Sequence, residues 1–262
     1  MEELVLHAAR RALVQVVVWI GPLFVLAWLM QKTAGFFERT VCRLLGVRGY
    51  MLLFGWLGAS IHELSHALVA LIFKHRVTGV RLFTLSPEAG KAGSVRHTYD
   101  RHSVYQRAGN FFIGVAPVFI GSAVIYAAAM LLVPQILQAG GIKSAMPENF
   151  HALQAAWTTL FKGFRNYSQW DDWRVYLFFY LAFCIGSAMR LSRADLKGAW
   201  YGALLFLMLL FAINFLDIYL FSRPVLSGGI SRFLAFSGNI LLLALIINLI
   251  MAIPVYVLFR RF

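Results

Sequence analysis

The chain has 262 residues, 60% of them hydrophobic, and a mean hydropathy of +0.72, which excludes an ordinary soluble domain. Its net charge of +13 comes from 24 Lys and Arg against 11 Asp and Glu. The basic residues fall mostly between apolar runs, where they anchor a membrane protein to anionic headgroups and require no nucleic-acid partner. Two cysteines, Cys42 and Cys184, exclude a disulfide framework and offer no metal-ligand spacing.

The pattern predicts an all-α integral membrane protein, a single polytopic unit over 1–262 with about six transmembrane helices in the cell membrane. The first span is expected at 12–30, kinked by Pro22. The acidic start Met1-Glu2-Glu3 and the lack of a small-residue cleavage site make it a retained span and not a signal peptide. Residues 31–49 read as a basic connector, and 50–73 as the second span. The runs 80–85 and 95–99 favour β structure and flank a Pro/Gly-containing turn, which predicts a short β-hairpin insertion after the second span. That hairpin is either a surface feature or an edge strand that pairs with an extended peptide.

The third span is expected at 104–133, rich in small residues that favour close helix packing. Its Asn110 is either an interhelical packing amide or a donor to a developing oxyanion. Within 134–172, Phe150, Leu153, Trp157, Leu160, Phe161 and Phe164 recur at helical spacing and predict an interfacial helix. Further spans are expected at 175–189, 198–221 and 236–259, the fifth containing Asn214 and Asp217.

The chemistry-bearing stretch is His62-Glu63-Leu64-Ser65-His66 in the second span. Four residues apart on a helix, the two imidazoles leave one face and their nitrogens can share one Zn²⁺. Glu63 then stands where a carboxylate can take a proton from an activated water as general base. A carboxylate at bilayer depth costs roughly 2.5–3.5 kcal/mol, which itself marks a functional site. The competing reading of the same stripe is polar packing or transport.

A His-Glu-x-x-His motif inside a transmembrane helix of a six-span chain resembles the site-2 protease family of intramembrane zinc metalloproteases. The strong match covers His62 to His66, and Gly114-Val115-Ala116-Pro117 faintly resembles the family's glycine-proline element in the next helix. Elsewhere the likeness lies in hydropathy. The resemblance implies one Zn²⁺ per chain and hydrolysis of peptide bonds within or near transmembrane segments of membrane-protein substrates. It also implies an aspartate ligand from the fourth span, but the family's Leu-Asp-Gly or Asn-Pro-Asp-Gly motif is absent here.

The third ligand is therefore open. His62 and His66 lie 7 to 11 residues before the end of the second span, about 10–16 Å deep. Asp195 misses that depth by about 10 Å, which a turn dipping inward after Gly186 would supply. Asp217, about 28 Å along the fifth span, misses by more. Asp195 ranks first, Asp217 competes, and His97, His102 and Glu88 remain as further candidates. Asp195 also has a structural reading, as part of a capping box with Ser192 that starts the fifth helix.

An even number of spans puts both termini on one face. That face collects 14 of the 24 basic residues, Arg190 among them, so the positive-inside rule favours cytoplasmic termini. The expected activity is that of a zinc endopeptidase acting in the bilayer on membrane-protein substrates. Its rivals are a metal-ion or proton transporter, which would more often show internal repeats, and a silent scaffold.

Overall fold

The computed structural model describes residues 1–85, 92–135, 158, 165, 167, 170–191, 195, 199–221 and 224–259. The six apolar positions of the expected interfacial helix lie outside the described residues, as do Glu88 and most of the turn between the β runs.

Helix α1 (Glu2–Gln15) passes through a π-helical turn, Val16–Ile20, into α2 (Gly21–Tyr50). A second π-helical turn, Met51–Gly55, leads into α3 (Trp56–Ile72). The gap in the hydrogen-bond ladder expected at Pro22 is absorbed by the π turn directly before it. The separate connector expected at 31–49 is not found. That segment contains no proline, and only Gly46 leaves the helical backbone, at φ +73° and ψ 165°. Lacking a Cβ, glycine takes that conformation without penalty. The run folds back there. The Phe37 and Phe54 rings meet edge to face at 5.3 Å, although a straight helix would hold them about 25 Å apart.

Two antiparallel strands follow, β1 (Arg76–Arg81) and β2 (Ser94–Thr98), with a bulge between Val77 and Gly79. The pairing begins earlier than expected because the chain leaves α3 at Lys74 and enters the ladder two residues later. It closes at Arg81↔Ser94, so residues 82–85 are not strand. Helix α4 (Val104–Leu132) is capped by the Ser103 hydroxyl, which accepts from the Gln106 N–H. Next come α5 (Trp173–Ala188), α6 (Trp200–Leu216) with a π turn at Asp217–Phe221, and α7 (Leu226–Phe259).

Among the described residues, four helical stretches are long and apolar enough to cross a membrane: Glu2–Ile72, Val104–Leu132, Trp200–Phe221 and Leu226–Val257. Helix α5 is apolar but shorter, and α7 starts ten residues before the expected sixth span. The chain is a multi-pass membrane protein. Its core joins α2, α4, α5 and α7 around Met30, Phe37, Ile125, Phe178, Phe183 and Leu241, all buried. Helix α3 packs between α4 and α5, which brings its polar stripe inward, away from lipid.

Candidate metal centre

Helix α3 carries His62, Glu63 and His66 on its inward side because neighbouring small residues let other helices come close. A Cβ on Gly58 would stand 2.2 Å from the Cys184 carbonyl oxygen, so only glycine admits α5 at this height. The last turn of α5 therefore ends beside His62. The carbonyl of Ala188, in the last turn of α5 and without an intrahelical partner by its position, accepts from His62 Nδ1 at 2.7 Å.

His66 is oriented by a different device. Its Nδ1 lies 2.8 Å from the carbonyl oxygen of Ile113 in α4. An α-helical carbonyl normally accepts from the N–H four residues on, but that residue is Pro117, which has none. Proline thus frees the carbonyl that fixes the histidine ring.

In its neutral form each ring spends its one N–H on a carbonyl, so both Nε2 atoms then present lone pairs, and these stand 3.0 Å apart. Asp195 adds a carboxylate, with Oδ1 3.5 Å from His66 Nε2 and Oδ2 3.8 Å from His62 Nε2. Three acceptors converge with all ligand atoms within 4.8 Å. A proton on His66 Nε2 could be shared between His62 Nε2 and the Asp195 carboxylate, whereas a metal cation would bond to all three at once. Bonds of about 2.0–2.2 Å in a tetrahedral site separate ligand atoms by about 3.3–3.6 Å, within the spread found here. The N–H bonds to backbone carbonyls are the outer contacts that orient metal-binding histidines.

Glu63 lines the same cavity, of about 740 Å³, together with Asn110. The chain entering β2 passes close over Glu63. A Cβ on Gly93 would stand 2.5 Å from Glu63 Cγ and equally close to the Leu82 carbonyl oxygen. Among the described residues, the Asn110 amide makes a long 3.5 Å contact to the Arg107 carbonyl in its own helix.

The other described candidates stand outside this three-ligand group. Asp217 is fully buried, and its carboxylate accepts from the backbone N–H groups of Leu226 and Ser227 at 2.9 and 2.7 Å. It caps the start of α7, which explains the early onset of that helix. Asn214 bonds to Gln15 at 2.7 Å. His102 donates its backbone N–H to Asp100 on an exposed turn. His97 pairs with His75. Ser192 of the expected capping box lies outside the described residues, and α6 is described from Trp200, five residues after Asp195.

Arg190 was expected on the opposite face from residues 31–49, yet it donates to Glu38 of α2 at 2.7 Å. Helix α5 stops at the height of His62, which leaves Arg190 within reach of Glu38. Sequence reasoning missed this pair and the two carbonyls. Proline four residues after Ile113 signals a freed acceptor, but nothing in the sequence tells which donor takes it.

No family model matches this chain, and neither does any curated protein or solved structure, so the reading of the site rests on its geometry.

Proposed function

We propose that this chain is an intramembrane zinc metalloprotease that hydrolyses peptide bonds within or near transmembrane segments of membrane-protein substrates. The observation that carries the reading is the convergence of two histidine lone pairs and the Asp195 carboxylate with both histidine N–H groups already committed. His62, His66 and Asp195 would hold one Zn²⁺, which when bound supplies Lewis acidity to a water and to a peptide carbonyl. Glu63 takes the proton of the attacking water and delivers it to the leaving amine. Asn110 gives up its long contact to its own helix and donates to the carbonyl oxygen as charge develops there. Strand β2 lines the cavity, and the two-stranded sheet leaves it one edge without a strand partner among the described residues. An unwound substrate pairs along that edge, which replaces the hydrogen bonds its helix loses in lipid. The six-span arrangement belongs to this reading: the two limbs of Glu2–Ile72 cross separately, and α5 is the short fourth span.

Glu63→Gln preserves side-chain shape and the three ligands. The purified variant should hold one zinc per chain and cleave no membrane-protein substrate. Near-wild-type cleavage by this variant would exclude the mechanism. Metal or proton flux in liposomes without cleavage by either form would favour a transporter instead.

A further inference from the structure

A second histidine pair borders the same cavity. After α3 the chain turns through Lys74, at φ +58°, with the Lys74 N–H donating to Leu71 and the His75 N–H to Ala70. This two-bond helix ending points His75 back under the bundle. The His75 ring is 3% exposed and stacks on Tyr99 with centroids 5.1 Å apart. Its Nε2 lies 2.7 Å from the Gln106 carbonyl oxygen, and its Nδ1 lies 2.9 Å from His97 Nδ1. Gly109 allows this approach, since a Cβ there would stand 3.0 Å from His75 Nε2 and 2.6 Å from Phe73 Cβ.

The tautomers follow from these contacts. A carbonyl only accepts, so His75 Nε2 carries the proton, and in the neutral ring Nδ1 is then a lone pair. The 2.9 Å contact closes only if His97 Nδ1 donates. His97 Nε2 is left as an acceptor, on a half-buried ring that lines the cavity with Glu63, His66 and Asn110. Burial holds the His97 imidazole below its ordinary pKa, which favours the neutral ring.

Resting on the proposed hydrolysis of an extended peptide, we propose that His97 is a substrate-contacting residue whose Nε2 accepts a hydrogen bond from a substrate backbone N–H. His75 is the positioning residue that holds it in that tautomer. An unwound peptide brings N–H donors into a cavity enclosed by apolar helices, and each one left unpaired costs several kcal/mol. His62, His66 and Asp195 are committed to the cation, Glu63 to the proton, and Glu38 to Arg190. His97 Nε2 is an acceptor on the described lining that none of these roles uses, beside Asn110 and the hydroxyls of Ser94, Tyr99 and Ser187, and its lone pair is aimed by the bond that Nδ1 of the same ring makes to His75.

The test uses zinc-loaded Glu63→Gln protein in detergent micelles and a fluorescent apolar peptide of transmembrane length. Central amides of the peptide are replaced one at a time by esters, and affinity is read by anisotropy. One ester should weaken binding roughly 3- to 10-fold, and the same ester should have no effect when His97→Phe is also present. Equal ester effects with and without His97→Phe would overturn the proposal. In ¹⁵N-histidine NMR spectra of wild-type protein, His97 should carry its proton on Nδ1, and His75→Phe should redistribute it without changing zinc content. A proton found on His97 Nε2 would equally overturn the inference. If the all-amide peptide fails to bind at all, the hydrolase reading falls with it, whereas binding without ester coupling removes only His97.

Discussion

The two histidine pairs of this protein have nearly the same nitrogen separation, 3.0 Å for His62 and His66 and 2.9 Å for His75 and His97, and opposite hydrogen-bonding logic. In the first pair each ring meets a backbone carbonyl, Ala188 or Ile113, so no proton remains between the facing nitrogens. In the second pair only His75 meets a carbonyl, from Gln106, and the spare proton of His97 closes the gap. Two carbonyls leave a histidine pair free to hold a cation, as proposed for His62 and His66, and one leaves it a hydrogen bond. The difference lies in which carbonyls neighbouring helices leave unused, a property of helix ends and prolines and not of the histidines themselves.

The largest expected effect separates the pairs by metal content. His62→Ala, His66→Ala and Asp195→Ala should each abolish stoichiometric zinc, measured on purified protein, while His75→Ala and His97→Ala should retain it. Asp217→Ala belongs with the second group: zinc stays, and loss of the helix cap lowers stability by about 1–2 kcal/mol. Zinc held equally well without Asp195 would break the comparison at its first pair.

A second, smaller effect probes the carbonyl itself. Pro117→Ala restores an N–H that competes for the Ile113 oxygen, so His66 loses its fixed orientation. Zinc affinity should fall by about 10–100-fold, as for other outer contacts of metal-binding histidines. Thermal stability should not fall in step, because alanine also removes a mid-helix proline that costs about 3 kcal/mol in an unconstrained helix. Unchanged affinity in a competitive chelator titration would mean that the freed carbonyl does not orient the ring.

The smallest effect concerns the turn that delivers His75. Lys74 holds a left-handed conformation that glycine adopts freely. Lys74→Gly should raise stability by about 1 kcal/mol in thermal unfolding, with zinc content and the His97 tautomer unchanged. A destabilised variant would show that the Lys74 side chain contributes more than its backbone strain costs.

The helices and the hairpin were legible in the sequence because hydropathy and side-chain period are local properties. So was the shared face of His62 and His66, since helical spacing alone puts both imidazoles on one side of α3. The connector at 31–49 was misread because basic helix-forming residues suit an interfacial loop and a continuing helix equally. One glycine, Gly46, makes the reversal. The two aspartates look alike in sequence, each within or beside an apolar run. Tertiary structure divided them: α5 ends at Ala188 and leaves Asp195 beside the histidines, while Asp217 meets the first N–H groups of α7. The sequence by itself determined which residues could bind a cation. Packing decided which of them meet, because a freed carbonyl finds its donor only when another helix comes close, at Gly58 for Ala188 and across the α3–α4 contact for Ile113.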